Sequence, residues 1–390
     1  MMNIPIVKPV LGEEEAQSVA DVVRSGWLAQ GKKVQEFERS VAHAVEADEV
    51  VAVSSCTTAL HIALRIAGLQ CGDWACVSKP CVERCEVICP SYTFVATINA
   101  LLYQGIRPVL VDIDPQTGNL DPTLIEQAVT PRTRAILPVH QLGYPADLDE
   151  IYAIADRHGL IVIEDAACAL GARYKGRAIG SGSRLVCFSF HPRKAVTTAE
   201  GGAIATNDPA LAERARILRS HGASVSAEAR HQSNAIVYEQ YVEVGYNYRM
   251  SDVHAAIGVE QMKRLPGILQ RRRELAQAYT TALSQSELIR PPKVHADYLH
   301  AYQTYAIQLS DAFAGSRDTV LQRMADQGIS CRRGIPPVHL EPYFIERFGR
   351  MHLPVTERVS SKTLFLPLYP QMTLEEQQYV VDHILQCVRP

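Results

Sequence analysis

The chain has 390 residues, long enough for two domains with a sizeable core. Its composition is 47% hydrophobic and 21% charged with a formal net charge of -3, an ordinary globular balance that gives no reason to expect nucleic acid or an anionic membrane as partner. No apolar run reaches the length of a membrane span and the first residues show no secretory pattern, so a cytoplasmic location is expected, with the ten cysteines reduced.

Residues 12–23 repeat apolar side chains at helical spacing and run into a polar-aromatic turn bounded by Gly26 and Gly31. A short buried strand at 50–53 is followed by the turn Ser54-Ser-Cys-Thr-Thr-Ala59 and a helix over 60–67. Strand, small polar turn and helix can aim free backbone N–H groups at an anion, although Ser and Thr also cap helices with no ligand present. Strands follow at 86–89, 108–113 and 135–140. The segment 90–97, carrying Tyr92 and Phe94, leads into a helix; further helices are expected near 122–128 and over 148–158, the latter after a loop at 141–147. Such alternation indicates an α/β fold with a mostly parallel central sheet covered by helices, where ligands gather at the carboxyl ends of strands. The apolar strand 160–165 delivers Asp165 to that end, and a buried carboxylate is costly unless a positive charge meets it.

A second apolar run, 185–190, enters a polar turn carrying Lys194, and Gly201-Gly202 then opens another short run at 203–205. A lysine between two core strands is expected to be partly desolvated, which lowers its pKa and frees a neutral amine able to attack a carbonyl. Ser189 places a hydroxyl at the same strand end. Beyond it come a helix at 209–219, a polar loop at 223–243, and Gly245-Tyr-Asn-Tyr-Arg-Met-Ser-Asp252, which opens an amphipathic helix over 253–265. A basic-faced helix over 271–283 links a large domain, residues 1–250, to a smaller α/β C-terminal domain, residues 251–390. There is no internal repeat, low-complexity tract or GxGxxG fingerprint.

Ser189-Phe-His-x-x-Lys194, followed by Glu200-Gly-Gly and Thr206-Asn-Asp, resembles the lysine segment of the DegT-type nucleotide-sugar aminotransferases, which are fold-type I enzymes dependent on pyridoxal 5′-phosphate (PLP). The similarity continues in the same order from about residue 5 to about residue 370. The resemblance implies a PLP aminotransferase in which Lys194 carries the cofactor and shuttles the proton, while Asp165 faces the protonated pyridine nitrogen. It assigns Thr57, Thr58 and Ser189 to the cofactor phosphate, and Phe94, with Tyr92 as the alternative, to the face of the ring. It further implies a homodimer with shared active sites: Asn247 reaches the partner's phosphate and Arg249 the partner's substrate. His339, within Arg332-Arg-Gly-Ile-Pro-Pro-Val-His339, becomes a substrate contact. The loop at 25–31 would border the nucleotide. The substrates implied are an amino donor, usually glutamate, and a keto sugar carried on a nucleotide.

Three features depart from the family pattern. Cys56 stands where glycine is usual, which argues against a positive φ but leaves the amide donors in place. Cys168 stands where Gln or His contacts the cofactor ring. A stretch at 74–85 is inserted, and Cys71, Cys76, Cys81, Cys85 and Cys89 lie in and around it. No Cys-x-x-Cys pair occurs there, so free thiols on a surface excursion are favoured over a metal site. A PMP-dependent sugar dehydratase would carry His at position 194, and a non-catalytic binder would need neither Lys194 nor Asp165. An aminotransferase for a carbocyclic ketone such as an inosose stays open.

Overall fold

The computed structural model describes residues 2–70, 85–182, 185–225 and 238–389. From one edge to the other, the large-domain sheet runs Arg107–Val111, Glu86–Pro90, Thr133–Ile136, residues 161–165, Val186–Ser189, Gly202–Thr206 and Glu49–Val53. Residues 161–165 knit the two halves together. Ile163 and Asp165 donate to the carbonyls of Ile136 and Pro138 on one side, and Glu164 and Ala166 donate to Leu185 and Cys187 on the other. Only Gly202–Thr206 runs antiparallel to its neighbours; the other pairings are parallel. The sheet is thus mostly parallel, as the alternating pattern predicts, and its short apolar strands are buried on both faces.

One face packs against Lys32–Val45, whose Val34, Phe37, Val41 and Val45 share a core with Phe188 and Val259. The sequence reading leaves that helix unassigned, although its apolar residues recur at helical spacing. The other face is covered by Cys56–Ile66, Ala96–Tyr103 and Pro209–Arg219 through Leu60, Leu64, Leu101, Ala215 and Leu218.

Where the sequence predicts two helices, at 253–265 and 271–283, there is one, Asp252–Leu283, with Pro266 inside it. Pro266 and Gly267 lie on the exposed face, where water can replace the missing N–H donor, while Leu265, Ile268 and Leu269 are buried in the large-domain core. Farther along, Leu275, Ala276, Tyr279 and Leu283 belong to the small-domain core, so one helix enters both. Its basic face is also not simply solvated. Arg272 is 1% exposed and donates to the carbonyls of Tyr302, Gln303 and Leu368; burial lowers its pKa to about 10.

The small domain is an antiparallel sheet ordered Ile289–Arg290, Tyr305–Leu309, Thr363–Leu366, Arg332–Arg333, packed on Arg317–Asp326 and Leu374–Val388. Most of the cysteine-rich stretch, with Cys71, Cys76 and Cys81, and much of the loop 223–243 lie outside the described residues. Cys85 and Cys89 are free thiols. Among the described residues no group of His, Cys, Asp or Glu is arranged to hold a metal, and no helix is long and apolar enough to cross a membrane.

Candidate active site

A cavity of ≈ 600 Å³ lies where the carboxyl ends of the parallel strands meet Gln303, Thr304, Arg332 and Phe365 of the small domain. Thr57, Phe94, Asp165, Cys168, Ser189 and Lys194 all line it, so six of the residues singled out in the sequence converge in space.

At one wall, the strand Glu49–Val53 hands over to a helix that starts at Cys56, earlier than the sequence suggests. Ser55 is its N-cap. The Ser55 Oγ accepts from the Thr58 N–H at 3.2 Å, and the Thr58 hydroxyl donates to the Ser55 carbonyl at 2.8 Å. Thr58 is thereby committed to the cap and does not line the cavity, whereas Thr57 does. The Cys56 and Thr57 amides have no acceptor among the described residues and stand at the start of the helix, the arrangement that binds anions. Cys56 keeps a negative φ, as a side chain at that position requires. Gly202 lies directly against this turn: a Cβ there would meet the Ser55 carbonyl carbon at 2.3 Å and the Cys56 nitrogen at 2.5 Å.

Lys194 sits in the turn between Val186–Ser189 and Gly202–Thr206. The turn is closed by Phe190, whose carbonyl accepts from the Thr198 N–H at 2.9 Å and the Thr197 hydroxyl at 3.0 Å. The lysine Nζ donates to Cys168 Sγ at 3.2 Å. Its pKa moves opposite to the sequence expectation. Burial, the largest single influence, lowers it, but the Cys168 sulfur, Cys56 and Asp165 together outweigh burial and raise it above the ordinary lysine value. The lysine therefore holds its proton more tightly here than a free lysine does. The sequence shows the burial but not the acidic groups that the fold brings to face the amine.

Asp165 is 4% exposed. Its Oδ2 accepts from the Thr97 hydroxyl at 2.8 Å and its Oδ1 from the Ala167 N–H at 3.1 Å. Thr97 spends its only hydroxyl proton on Asp165, so the 2.7 Å contact between Thr93 and Thr97 is donated by Thr93. Burial still raises the Asp165 pKa, against those hydrogen bonds and the pull of Lys194 and His140. The sequence reading misses Thr93 and Thr97; the signal available was two hydroxyls at i and i+4 entering a helix. Beneath Asp165, His140 Nδ1 accepts from the Ala146 N–H, which leaves Nε2 to donate to Glu164 at 2.9 Å. Glu164 also accepts from the Tyr152 hydroxyl at 2.6 Å.

Of the two aromatics proposed for the ring face, Phe94 lines the cavity and is 75% exposed, while Tyr92 is buried and does not. His339 is not brought to the cavity. It is fully buried, with Nδ1 2.7 Å from the Ser91 hydroxyl and Nε2 3.1 Å from Glu357, a brace behind the 91–97 turn. Asn247 is exposed, and Arg249 donates to the Ser220 hydroxyl at 3.2 Å; neither lines the cavity of its own chain.

Comparison with known proteins finds relatives along nearly the whole chain. The family described as DegT/DnrJ/EryC1/StrS aminotransferases matches residues 9–385. The spore coat polysaccharide biosynthesis protein SpsC of Bacillus subtilis is 40% identical over 390 residues, 99% of this chain and 96% of SpsC. Among solved structures, PseC of Helicobacter pylori, an aminotransferase involved in the biosynthesis of pseudoaminic acid, superposes with a TM-score of 0.89 at 26% identity over 99% of both chains. Spr1654 of Streptococcus pneumoniae in its PLP form gives 0.89 at 28% identity, again over 99% of both chains.

Proposed function

The chain belongs to the DegT/DnrJ/EryC1/StrS aminotransferase family and is a PLP-dependent aminotransferase, and we propose that it moves an amino group from glutamate to the keto sugar of a nucleotide-sugar. The observation that carries the reading is the meeting of Lys194, Asp165 and the amide-lined turn 55–57 in one cavity at the strand ends. The polysaccharide and pseudoaminic acid pathways named for SpsC and PseC support a sugar as acceptor.

The residues present fit PLP. Asp165 keeps a raised pKa even with two hydrogen bonds, which is the state of a buried carboxylate that has room for one more positive charge. The free Cys56 and Thr57 amides suit a phosphate, with Ser189 beside them. When bound, PLP supplies an electron sink for the carbon that loses its proton. The part played by the protein then follows from its own groups. Asp165 holds the ring nitrogen protonated, and Thr97 holds Asp165. Lys194 would hold the cofactor, and its Nζ would take and return the proton as general base and acid. Thr57 and Ser189 hold the phosphate, with Thr58 fixing the turn, and Phe94 covers the ring. Cys168, where the family has Gln or His, stands against Lys194.

Asn247 and Arg249 act on a second copy of the chain in this reading. Supporting it, neither lines its own cavity, and Tyr238, Tyr241, Val242 and Val244 nearby in the chain are 84%, 66%, 56% and 66% exposed, an apolar stretch that a partner subunit would cover. The lysine at 194 separates the protein from dehydratases with His at that place. To test the acceptor, the enzyme is first converted to its pyridoxamine form with glutamate and then offered keto sugars, free and nucleotide-linked, and an inosose. Loss of the pyridoxamine absorbance with nucleotide-linked sugars alone is expected; discharge by the inosose alone would replace the proposed acceptor with a carbocyclic ketone.

A further inference from the structure

We propose that Cys168 and Lys194 form a sulfur–nitrogen cross-link when the cavity meets a hydroperoxide, so that the pair is a site of reversible oxidative modification. Cys168 Sγ lies 3.2 Å from Lys194 Nζ, both groups line the same ≈ 600 Å³ cavity, and neither is fully buried. Cys89 and Cys187, by contrast, are buried and do not line the cavity. Cys56 does line it, but its thiol is pushed well above the ordinary value, first by burial and then by Asp165 and Cys187, which holds it in the less reactive protonated form.

The chemistry proceeds in two balanced steps. Hydrogen peroxide oxidises the Cys168 thiol to a sulfenic acid; one peroxide oxygen goes to sulfur, the O–O bond breaks, and the other oxygen leaves as water. Lys194 gives up one proton to solvent, and the neutral amine then attacks that sulfur. The S–N bond forms, the S–O bond breaks, and the departing hydroxide takes a proton from nitrogen to leave as a second water. Two equivalents of a thiol reverse the bond, restoring amine and thiol and leaving with their sulfurs joined as a disulfide. The 3.2 Å approach of the two side chains sets the lysine nitrogen beside the sulfur that the first step oxidises.

The cross-link itself depends only on the pair. Its consequence, a blocked cofactor lysine, rests on the reading under Proposed function. The full-length protein is therefore treated with hydrogen peroxide both as holoenzyme and after removal of PLP, digested, and searched by mass spectrometry for a joined peptide pair. In the cofactor-free protein the Lys194 and Cys168 peptides should be linked, dithiothreitol should separate them, and PLP uptake should fall in proportion to the linked fraction. Cys168→Ser and Lys194→Arg should each abolish the link; both keep a polar side chain of similar reach, and their circular dichroism would show whether the fold is kept. A stable sulfinic acid at Cys168 without a link, a Cys56–Cys168 disulfide, or a link that persists in Lys194→Arg would each overturn the proposal. Protection in the holoenzyme supports both readings, whereas an equal link in the holoenzyme upholds the pair chemistry and removes Lys194 from the cofactor.

Discussion

At Asp165 two effects compete: burial favours the neutral acid, and the hydroxyl of Thr97 with the amide of Ala167 favours the carboxylate. Burial prevails and the pKa is raised. A folded-state pKa above the unfolded value means that the folded protein binds the proton more tightly, so stability falls as pH climbs from near 3.8 through the raised value, and the penalty persists at neutral pH. A bound cation would remove it. Asp165→Asn should therefore raise the melting temperature of cofactor-free protein at pH 7 while shrinking the stabilisation gained on adding PLP. Melts with and without PLP at pH 7 decide this, and a cofactor-free variant that melts below wild type would count against a strained carboxylate. Thr97→Val withdraws a charge-assisted hydrogen bond and should cost about 2 kcal/mol at neutral pH, with Thr97→Ser recovering most of it in denaturant unfolding. Asp165 was legible in the sequence because it ends an apolar strand, and Lys194 because it sits in a recognisable motif in the turn after another. The raised pKa of Lys194 was not, since its partner Cys168 is 26 positions away, and Thr97 reaches Asp165 across 68.

Secondary-structure elements position these groups through close backbone approaches that no local pattern announces. The strand Gly202–Thr206 starts so near the Ser55–Cys56 peptide that a methyl group at Gly202 would collide with backbone rather than with a movable side chain. Gly202→Ala should push the Ser55–Cys56 turn out of line, costing about 2 kcal/mol of stability and, if that turn holds the phosphate as proposed, weakening PLP binding as well. Unfolding and PLP titration on one preparation test the linkage; full stability with wild-type affinity would show that the turn yields. The long helix Asp252–Leu283 teaches a related lesson. Pro266 reads as a stop when only neighbours in sequence are considered, yet the core contacts on both sides carry the helix across, because tertiary packing outweighs one lost hydrogen bond on an exposed face. The parallel sheet was readable because its strands are continuous apolar runs, and the helix Lys32–Val45 could have been read from its stripe. The inward turn of Arg272 toward three carbonyls depends on where the small domain docks.

On the scale of the whole molecule, the cavity is finished on three sides by one chain: strand ends, the lysine turn and the small domain. Neither Asn247 nor Arg249 lines it, and their neighbours Tyr241, Val242 and Val244 face outward. In the proposed shared-site dimer a second copy covers this apolar stretch, and Asn247 and Arg249 of each chain serve the other's cavity. The arrangement has a consequence for mixed subunits. If Asn247 serves the partner's site, then Lys194→Ala and Asn247→Ala, each impaired alone, give a hybrid dimer with one site lacking both residues and one site lacking neither. With random exchange about half of the dimers are hybrids, each with one intact site, so the mixture should recover roughly a quarter of wild-type activity per site. Recovery should track subunit exchange in time, which differently tagged chains and pull-down can follow. If exchange is complete and activity does not rise, Asn247 acts within its own subunit and the shared-site reading is lost. If Asn247→Ala alone is fully active, the residue plays no part in either site.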